Sequence, residues 1–451
     1  MNNKLTGLEL LQFLVEKSPE EVAKALEHIH PADILDALED YDGDPFIFLV
    51  RMPNDVLAAL IDEAEEDDKG KLLDLFPSHQ KTDIMSEMAS DELADLLGNL
   101  DPEEAAELIH SMDEEKASQL KDLLMHDPET AGGIMATEFV SISTVMNVED
   151  TLKYLQVHGE EAETLNYLYI LNPEGVLKGV VALRDIVVSP FKAPLTDLIN
   201  PNVISVPLDM DQEEVAHIFQ KYGFSSIPVV DEEQKMLGII TADDMMEIIV
   251  DESTEDFERM SALAHNEGEY LETGVFGLAR RRVFWLLFLM ISATFTGLII
   301  ERYEAALAQV VVLMAFVPML MDTGGNAGSQ SATLIIRGMA LGKIDFKDFF
   351  KVLFKEIRVS AVVGIALAAV NMLRIWMMNG NWLLGLTVSM AMFFTVMVAN
   401  IVGGTLPLLA RKINVDPAIM ASPVITTIVD ALALIVYFRL ATMMYIPTVI
   451  Q

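Results

Sequence analysis

The sequence predicts a multi-domain membrane protein: an all-α superhelical N-terminal domain, an α/β tandem, a connecting helix and a five-helix α transmembrane domain. Three observations predict it. Charge and hydropathy change sharply near Ala279, two similar α/β segments follow one another at an offset of about sixty residues, and five apolar runs are long enough to cross a bilayer. Residues 1–279 carry 16 Lys and Arg against 61 Asp and Glu, whereas from Arg280 onward the count is 14 against 8. An acidic soluble half is thus joined to an apolar, mildly basic half.

Such acidity repels nucleic acid and anionic lipid headgroups, which bind through Lys and Arg, and it suits cations. With no cysteine, disulfides and thiolate metal sites are excluded. The eight His contain no pair at H-x3–5-H spacing, which argues against zinc. No nucleophile–base pair and no phosphate loop of the G-x-x-x-x-G-K-[ST] type is present, so no catalytic residue and no enzyme activity are expected. The N-terminus MNNKLTGLELLQFL lacks the pattern of a cleaved signal. The composition divides the chain into residues 1–133, 134–250, 251–279 and 280–451.

In the first domain, DELADLLGNL, DPEEAAELIHSM and DEEKASQLKDLL repeat at roughly a dozen residues between Asp91 and Leu124. Each unit opens on an acidic capping residue and carries apolar residues at helical spacing, which predicts a small solenoid with carboxylates outside. Asp91 and Asp95 lie one turn apart on one helix face, where they can share a cation or simply be solvated.

The second segment reads strand, helix, strand, strand, helix, twice over. FVSISTVMNVEDTLKYLQVHG is similar to NVISVPLDMDQEEVAHIFQKYG, and LKGVVALRDIV to MLGIITADDMM. This tandem resembles a pair of CBS domains, a module that often binds adenine nucleotides. Its nucleotide signature appears as Gly238-Ile239-Ile240-Thr241-Ala242-Asp243-Asp244, and the resemblance implies that Thr241 meets phosphate and Asp244 the ribose of ATP. In the first copy Ala182 replaces the hydroxyl while Asp185 remains. A purely structural CBS pair fits the same residues.

The acidic stretch VDESTEDFERMSALAHNEGEYLETG follows, helix-compatible in its first part. Five spans are then expected: Val283 to Ile300, Ala305 to about Ile336, Val359 to Met377, Leu383 to Ala410 and Ala418 to about Phe438. Eleven of the 14 basic residues here precede span 1 or lie between spans 2 and 3 or 4 and 5. The positive-inside rule therefore places the soluble half in the cytoplasm and the C-terminus outside.

Span 2 contains FVPMLMDTGGNAGSQSATLIIRG, where Pro318, Asp322, three glycines, Asn326 and Gln330 interrupt an apolar run. Pro318 removes a helical hydrogen bond and Gly324, Gly325 and Gly328 permit either unwinding towards a wet cavity or close helix packing. Span 4 adds Asn400, Gly403, Gly404 and Pro407, and span 5 adds Ser422, Thr426, Thr427 and Asp430. An Asp in mid-span is costly unless it meets water, a cation or a partner charge, and span 5 offers no Lys or Arg in its middle. Hard oxygen donors without Cys or intramembrane His suit Mg2+, Ca2+ or Mn2+. The expected pore-lining set is Pro318, Gly325, Asn326, Gly328, Gln330, Asn400, Ser422, Thr426 and Thr427 around Asp430.

Taken together, the acidic helical domain, the CBS pair, the acidic connecting helix, the motif Pro318…Gly324-Gly325-Asn326-Ala327-Gly328-Ser329-Gln330 and the run Asp416-Pro417 through Asp430 resemble the MgtE family of magnesium channels and transporters. The resemblance covers essentially the whole chain. It implies a homodimeric, Mg2+-selective pore in the plasma (inner) membrane that takes Mg2+ into the cytoplasm, with a plug-like connecting helix and closure by cytosolic Mg2+. It also implies Asp430 as the pore-ion aspartate, and Asp243, Asp244, Glu247, Glu255 and Asp256 as regulatory ligands. Ser422 and Gly223 depart from the family pattern. The rival reading is a proton- or sodium-coupled carrier with Asp430 as the coupling carboxylate.

Overall fold

The computed structural model describes residues 7–26, 28–39, 41, 43–64, 66–160, 162–261, 263, 270, 273–308, 310–420 and 422–447. They form two compact units, Met1–Val250 and Asp251–Gln451. In the first, ten short helices run from Leu8–Glu16 to Glu114–Leu123 among the described residues. The last three start at Ser90, Pro102 and Glu114, so the sequence repeat is one helix per repeat. The expected acidic caps are corrected. Ala89 caps the first of these helices, and Asp101 and Asp113, although at N-cap positions, accept no side-chain hydrogen bond. What remains of their advantage is a negative charge at the positive end of the helix dipole.

Two three-stranded sheets follow. β1 (Ser141–Ile142) runs parallel to β2 (Tyr167–Leu171), which pairs antiparallel with β3 (Leu177–Ala182). β4 (Val206–Pro207), β5 (Ser226–Val230) and β6 (Met236–Thr241) repeat that order. The register shifts at Ile170/Leu171 and again at Val229/Val230, so the duplication extends to the backbone irregularity. The buried Tyr169 hydroxyl lies 3.0 Å from Ser226 Oγ and ties the two sheets together. The first repeat packs its own core around Leu168, Ile170 and Val181. The second shares a core with the N-terminal helices, Val206, Ile227 and Ile240 joining Leu93, Leu97 and Leu120. From β6 the chain enters the connecting helix, Ala242–Met260.

The second unit contains five helices long and apolar enough to cross a membrane. They are Val275–Leu307, Val317–Ala340, Phe349–Asn379, Trp382–Lys412 and Ser422–Leu440. Ala305 belongs to the end of the first of these rather than to the start of the second. A 3-10 turn, Val311–Phe316, leads into the second helix, and Pro318 stands in its first turn, where the missing N–H has no intrahelical partner to lose. The expected interruption is therefore corrected: the helix runs unbroken from Val317 to Ala340 through all three glycines.

Those glycines pack helices. A Cβ on Gly324 would stand 2.7 Å from Thr395 Cγ2 and 2.9 Å from Val429 Cγ1, and one on Gly328 would stand 2.9 Å from Ile425 Cγ2. A Cβ on Gly403 would lie 2.1 Å from the Gly328 carbonyl oxygen. The second and fourth spanning helices thus meet backbone to backbone at a small-residue crossing, and the Ile425 and Val429 side chains of the fifth pack against the same glycines. Because a backbone carbonyl cannot yield, Gly403→Ala is expected to cost about 1–3 kcal/mol of stability. Gly297 has open space around its Cα, so Gly297→Ala is expected to be neutral or slightly stabilising. Thermal unfolding of both variants in detergent checks the contrast.

Candidate cation-binding sites

In the membrane unit, the second spanning helix sorts its residues by size. Gly324, Gly325 and Gly328 are buried, whereas Pro318, Asp322, Asn326 and Gln330, each four residues on, are exposed along one stripe. Asn326 Nδ2 donates to Asp322 Oδ1 at 3.3 Å. On the fifth helix Asp430 is half-buried, near enough to Asp322 for the two charges to repel. Arg374 does not reach Asp430; it donates to Asn371 Oδ1 at 3.1 Å and contacts Met319 Sδ. Among the described residues no Lys or Arg forms an ion pair with Asp430 or Asp322.

The neutral oxygens fall into two classes. Thr426 and Thr427 spend their hydroxyl protons on the Pro423 carbonyl, at 3.0 and 2.9 Å, which leaves their oxygens as acceptors. Asn400 is 7% exposed, and its side-chain oxygen is buried without a hydrogen-bond partner. Gly325 and Gly328 are buried at the crossing, so the structure brings them to helix packing and not to the exposed stripe. The side chain of Ser422 lies outside the described residues. Glu356, on the third helix, was missed: it accepts from Ser331 Oγ at 2.8 Å beside Gly404. The available signal was one acidic residue among Lys351, Lys355 and Arg358 where span 3 begins.

In the first unit, Asp91 is 6% exposed although it lies in the first turn of its helix. Burial holds its carboxyl well above the usual range, reinforced by the charges of Asp244, Glu92 and Glu163. Burial likewise raises Asp244, opposed by the hydroxyl of Thr241. Glu163 is pushed up to about 7 by burial and then by Asp244 and Asp243. Glu92 is also raised by burial, and it accepts from the buried Lys69 Nζ at 3.2 Å. Asp95 is half-buried one turn beyond Asp91, while Asp243 and Glu247 share the exposed face of the connecting helix. Asp91 and Asp244, distant in sequence, are thus brought together, with Glu163 added by the structure.

Thr241 and Asp244 also bind one another. The Thr241 hydroxyl and its N–H both donate to Asp244 Oδ2 at the start of the connecting helix. A nucleotide bound through these two side chains has to share them with those hydrogen bonds.

In the second unit, Arg259 near the end of the same helix contacts Glu255, and its Nη1 donates to Asp416 Oδ2 at 2.6 Å. Asp256 is pushed up to about 6 by burial and then by Asp416 and Glu252. Among the described residues no group of three or more acidic or His side chains stands as a preformed metal cage. The donors nonetheless suit a hard divalent cation: carboxylates whose charges act on one another, Asp91, Asp244 and Glu163 in the first unit and Asp322 and Asp430 in the second.

Known proteins are similar to this chain in sequence and domain order. A family model described as "Divalent cation transporter" (MgtE) matches residues 317–440. The MgtE intracellular N domain matches residues 10–129, and the CBS domain matches 131–190 and 195–251. The magnesium transporter MgtE of Thermus thermophilus is 36% identical over 326 residues, 72% of each chain. That of Bacillus subtilis is 36% identical over 325 residues, 71% of each chain. The crystal structure of the soluble part of a magnesium transporter, at 33% identity and a TM-score of 0.52, covers 54% of this chain and 96% of that one.

Glu163 generates a prediction. Its folded form holds the proton more tightly than the unfolded chain, so stability is highest near pH 4.5 and falls as pH rises through about 7. Glu163→Gln is expected to flatten this fall, and millimolar Mg2+ to flatten it more in the wild type than in the variant. Thermal unfolding of both proteins between those pH values, with and without Mg2+, is the check.

Proposed function

The chain belongs to the MgtE family of divalent cation transporters, and from that premise we propose that it is a Mg2+-selective channel admitting Mg2+ to the cytoplasm and closed by cytosolic Mg2+. The observation that carries the pore is Asp430 beside Asp322 with no basic partner among the described residues. Two repelling carboxylates at membrane depth favour a bound cation. The stripe of Asn326 and Gln330 supports hydrated Mg2+, which sheds water reluctantly and is held through its waters by neutral oxygens. Asn400, Thr426 and Thr427 add acceptor oxygens; Pro318, Gly325, Gly328 and Ser422 line the passage or shape it. One Asp430 per chain supports a homodimer in which two chains meet at the pore.

The gate is a population shift. The carboxylates of the cytoplasmic half repel one another, so a divalent ion that binds them more tightly in a compact arrangement favours that arrangement. Asp91, Asp95, Asp243, Asp244, Glu247 and Asp256 are the proposed ligands, with Glu255 shared with Arg259. High cytosolic Mg2+ then closes the pore through the connecting helix, and low Mg2+ lets the cytoplasmic domains separate and the pore open. ATP acts at Thr241 and Asp244, where it competes with their mutual hydrogen bonds and shifts the Mg2+ dependence. The four proposed segments are residues 1–133, 134–250, 251–279 and 280–451, in a plasma-membrane protein with its N-terminal domains cytoplasmic and its C-terminus outside.

Recording from reconstituted protein with Mg2+ as the only permeant cation tests the pore. Currents that fall at least about tenfold in Asp430→Ala and decline as cytoplasmic Mg2+ is raised are expected. Flux that needs a proton or sodium gradient, without current under voltage alone, selects the coupled carrier.

A further inference from the structure

The contacts of Arg259 go beyond the ligand set just proposed. Arg259 sits one turn after Glu255 on the connecting helix and bridges Glu255 to Asp416, in the segment between the fourth and fifth spanning helices. Both oxygens of Asp416 are engaged: Oδ2 accepts from Arg259 at 2.6 Å, and Oδ1 accepts from the Ala418 N–H at 2.7 Å, the start of the turn Ala418–Met420 that leads into the fifth helix. Met260, the next residue, packs against the apolar cluster of Ala332, Ile336, Ala399, Ile425 and Val429. Charge pairing therefore fastens this helix end to the Asp416 segment, and apolar packing fastens it to the second, fourth and fifth spanning helices.

We propose that Arg259 is a tethered cation that latches the connecting helix to the Asp416 segment in the absence of any divalent ion. A guanidinium is planar, permanently charged and able to bridge two carboxylates, and its local concentration does not vary with that of the solution. The latch neutralises Glu255 and Asp416 by a group of the chain itself. Asp256, on the same helix and repelled by Asp416, is left as the carboxylate that responds to ions in solution. Arg259 is accordingly a positioning residue: it touches no permeating ion and acts by fixing the helix end. This rests on the reading of the connecting helix as the gate, but the contact itself is measurable without it.

The chain contains no cysteine, so spin labels at the exposed positions Ser253→Cys and Ile413→Cys report one separation in the full-length protein. The expected result is a short, narrow distance in wild-type Arg259 with and without Mg2+. In Arg259→Gln the short population is lost when divalent ions are chelated and returns with Mg2+, and Arg259→Lys retains it. Asp416→Asn lowers the short population as Arg259→Gln does, and combining the two adds nothing further. A short distance in chelated Arg259→Gln overturns the latch, and so does a wild-type distance that becomes short only when Mg2+ is added. If the distances behave as expected while currents ignore cytoplasmic Mg2+, the latch stands and the gating reading fails.

Discussion

Negative charge without enough positive charge to balance it is the constraint on which both units depend. The first unit buries Asp91 and crowds it with Glu92, Glu163 and Asp244, and the principal buried cation nearby, Lys69, is already engaged by Glu92. In the second, the charge of Asp322 acts on Asp430 in helices whose other residues are largely apolar. Removing a carboxylate from water without a counter-charge is unfavourable by several kcal/mol, and a protein can respond by protonation, by water or by a bound cation. A transporter of divalent cations has the third remedy as its cargo.

The glycine crossing makes the membrane part of this arrangement possible. With Gly403 against the Gly328 carbonyl, the second and fourth helices approach without bulky side chains between them, and Val429 of the fifth fills the space that Gly324 leaves. The helix can then direct every fourth residue, from Pro318 to Gln330, away from the packed face. Small residues on one side and polar residues on the other are two faces of a single regular helix. No unwound segment is needed to present oxygen to an ion, since Asp322, Asn326 and Gln330 supply it from side chains.

Much of this was legible because it is periodic. The twelve-residue repeat, the duplicated α/β pattern and the five apolar runs each state a spacing, and spacing survives translation into structure. What misled was local chemistry. Pro and Gly in span 2 read as a break because both destabilise isolated helices, but Pro318 falls in the first turn and tertiary packing outweighs the propensity of Gly324, Gly325 and Gly328. Acidic residues at the repeat boundaries read as caps, yet the hydrogen bond depends on a side-chain rotamer that sequence does not specify. The pairing of Asp91 with Asp244 and Glu163 depends on tertiary approach over long stretches of chain. Residue type narrowed the field to carboxylates; only the fold selects which ones meet.

A cation supplied by the chain and one supplied by solution impose different physics on otherwise similar carboxylate clusters. Where Lys69 holds Glu92, or Arg259 holds Asp416, occupancy does not depend on ion concentration, so the contact is structural and cannot report how much Mg2+ is present. Where Asp91, Asp244 and Glu163 lie together, neutralisation has to come from outside, by protons or by divalent ions, and the cluster is sensitive to both. Distributing tethered cations among many acidic residues is thus a way of choosing which of them sense. Under the proposed gating, the acidic excess supplies ordinary side chains for a sensor, and a few buried or bridging basic residues decide where it is.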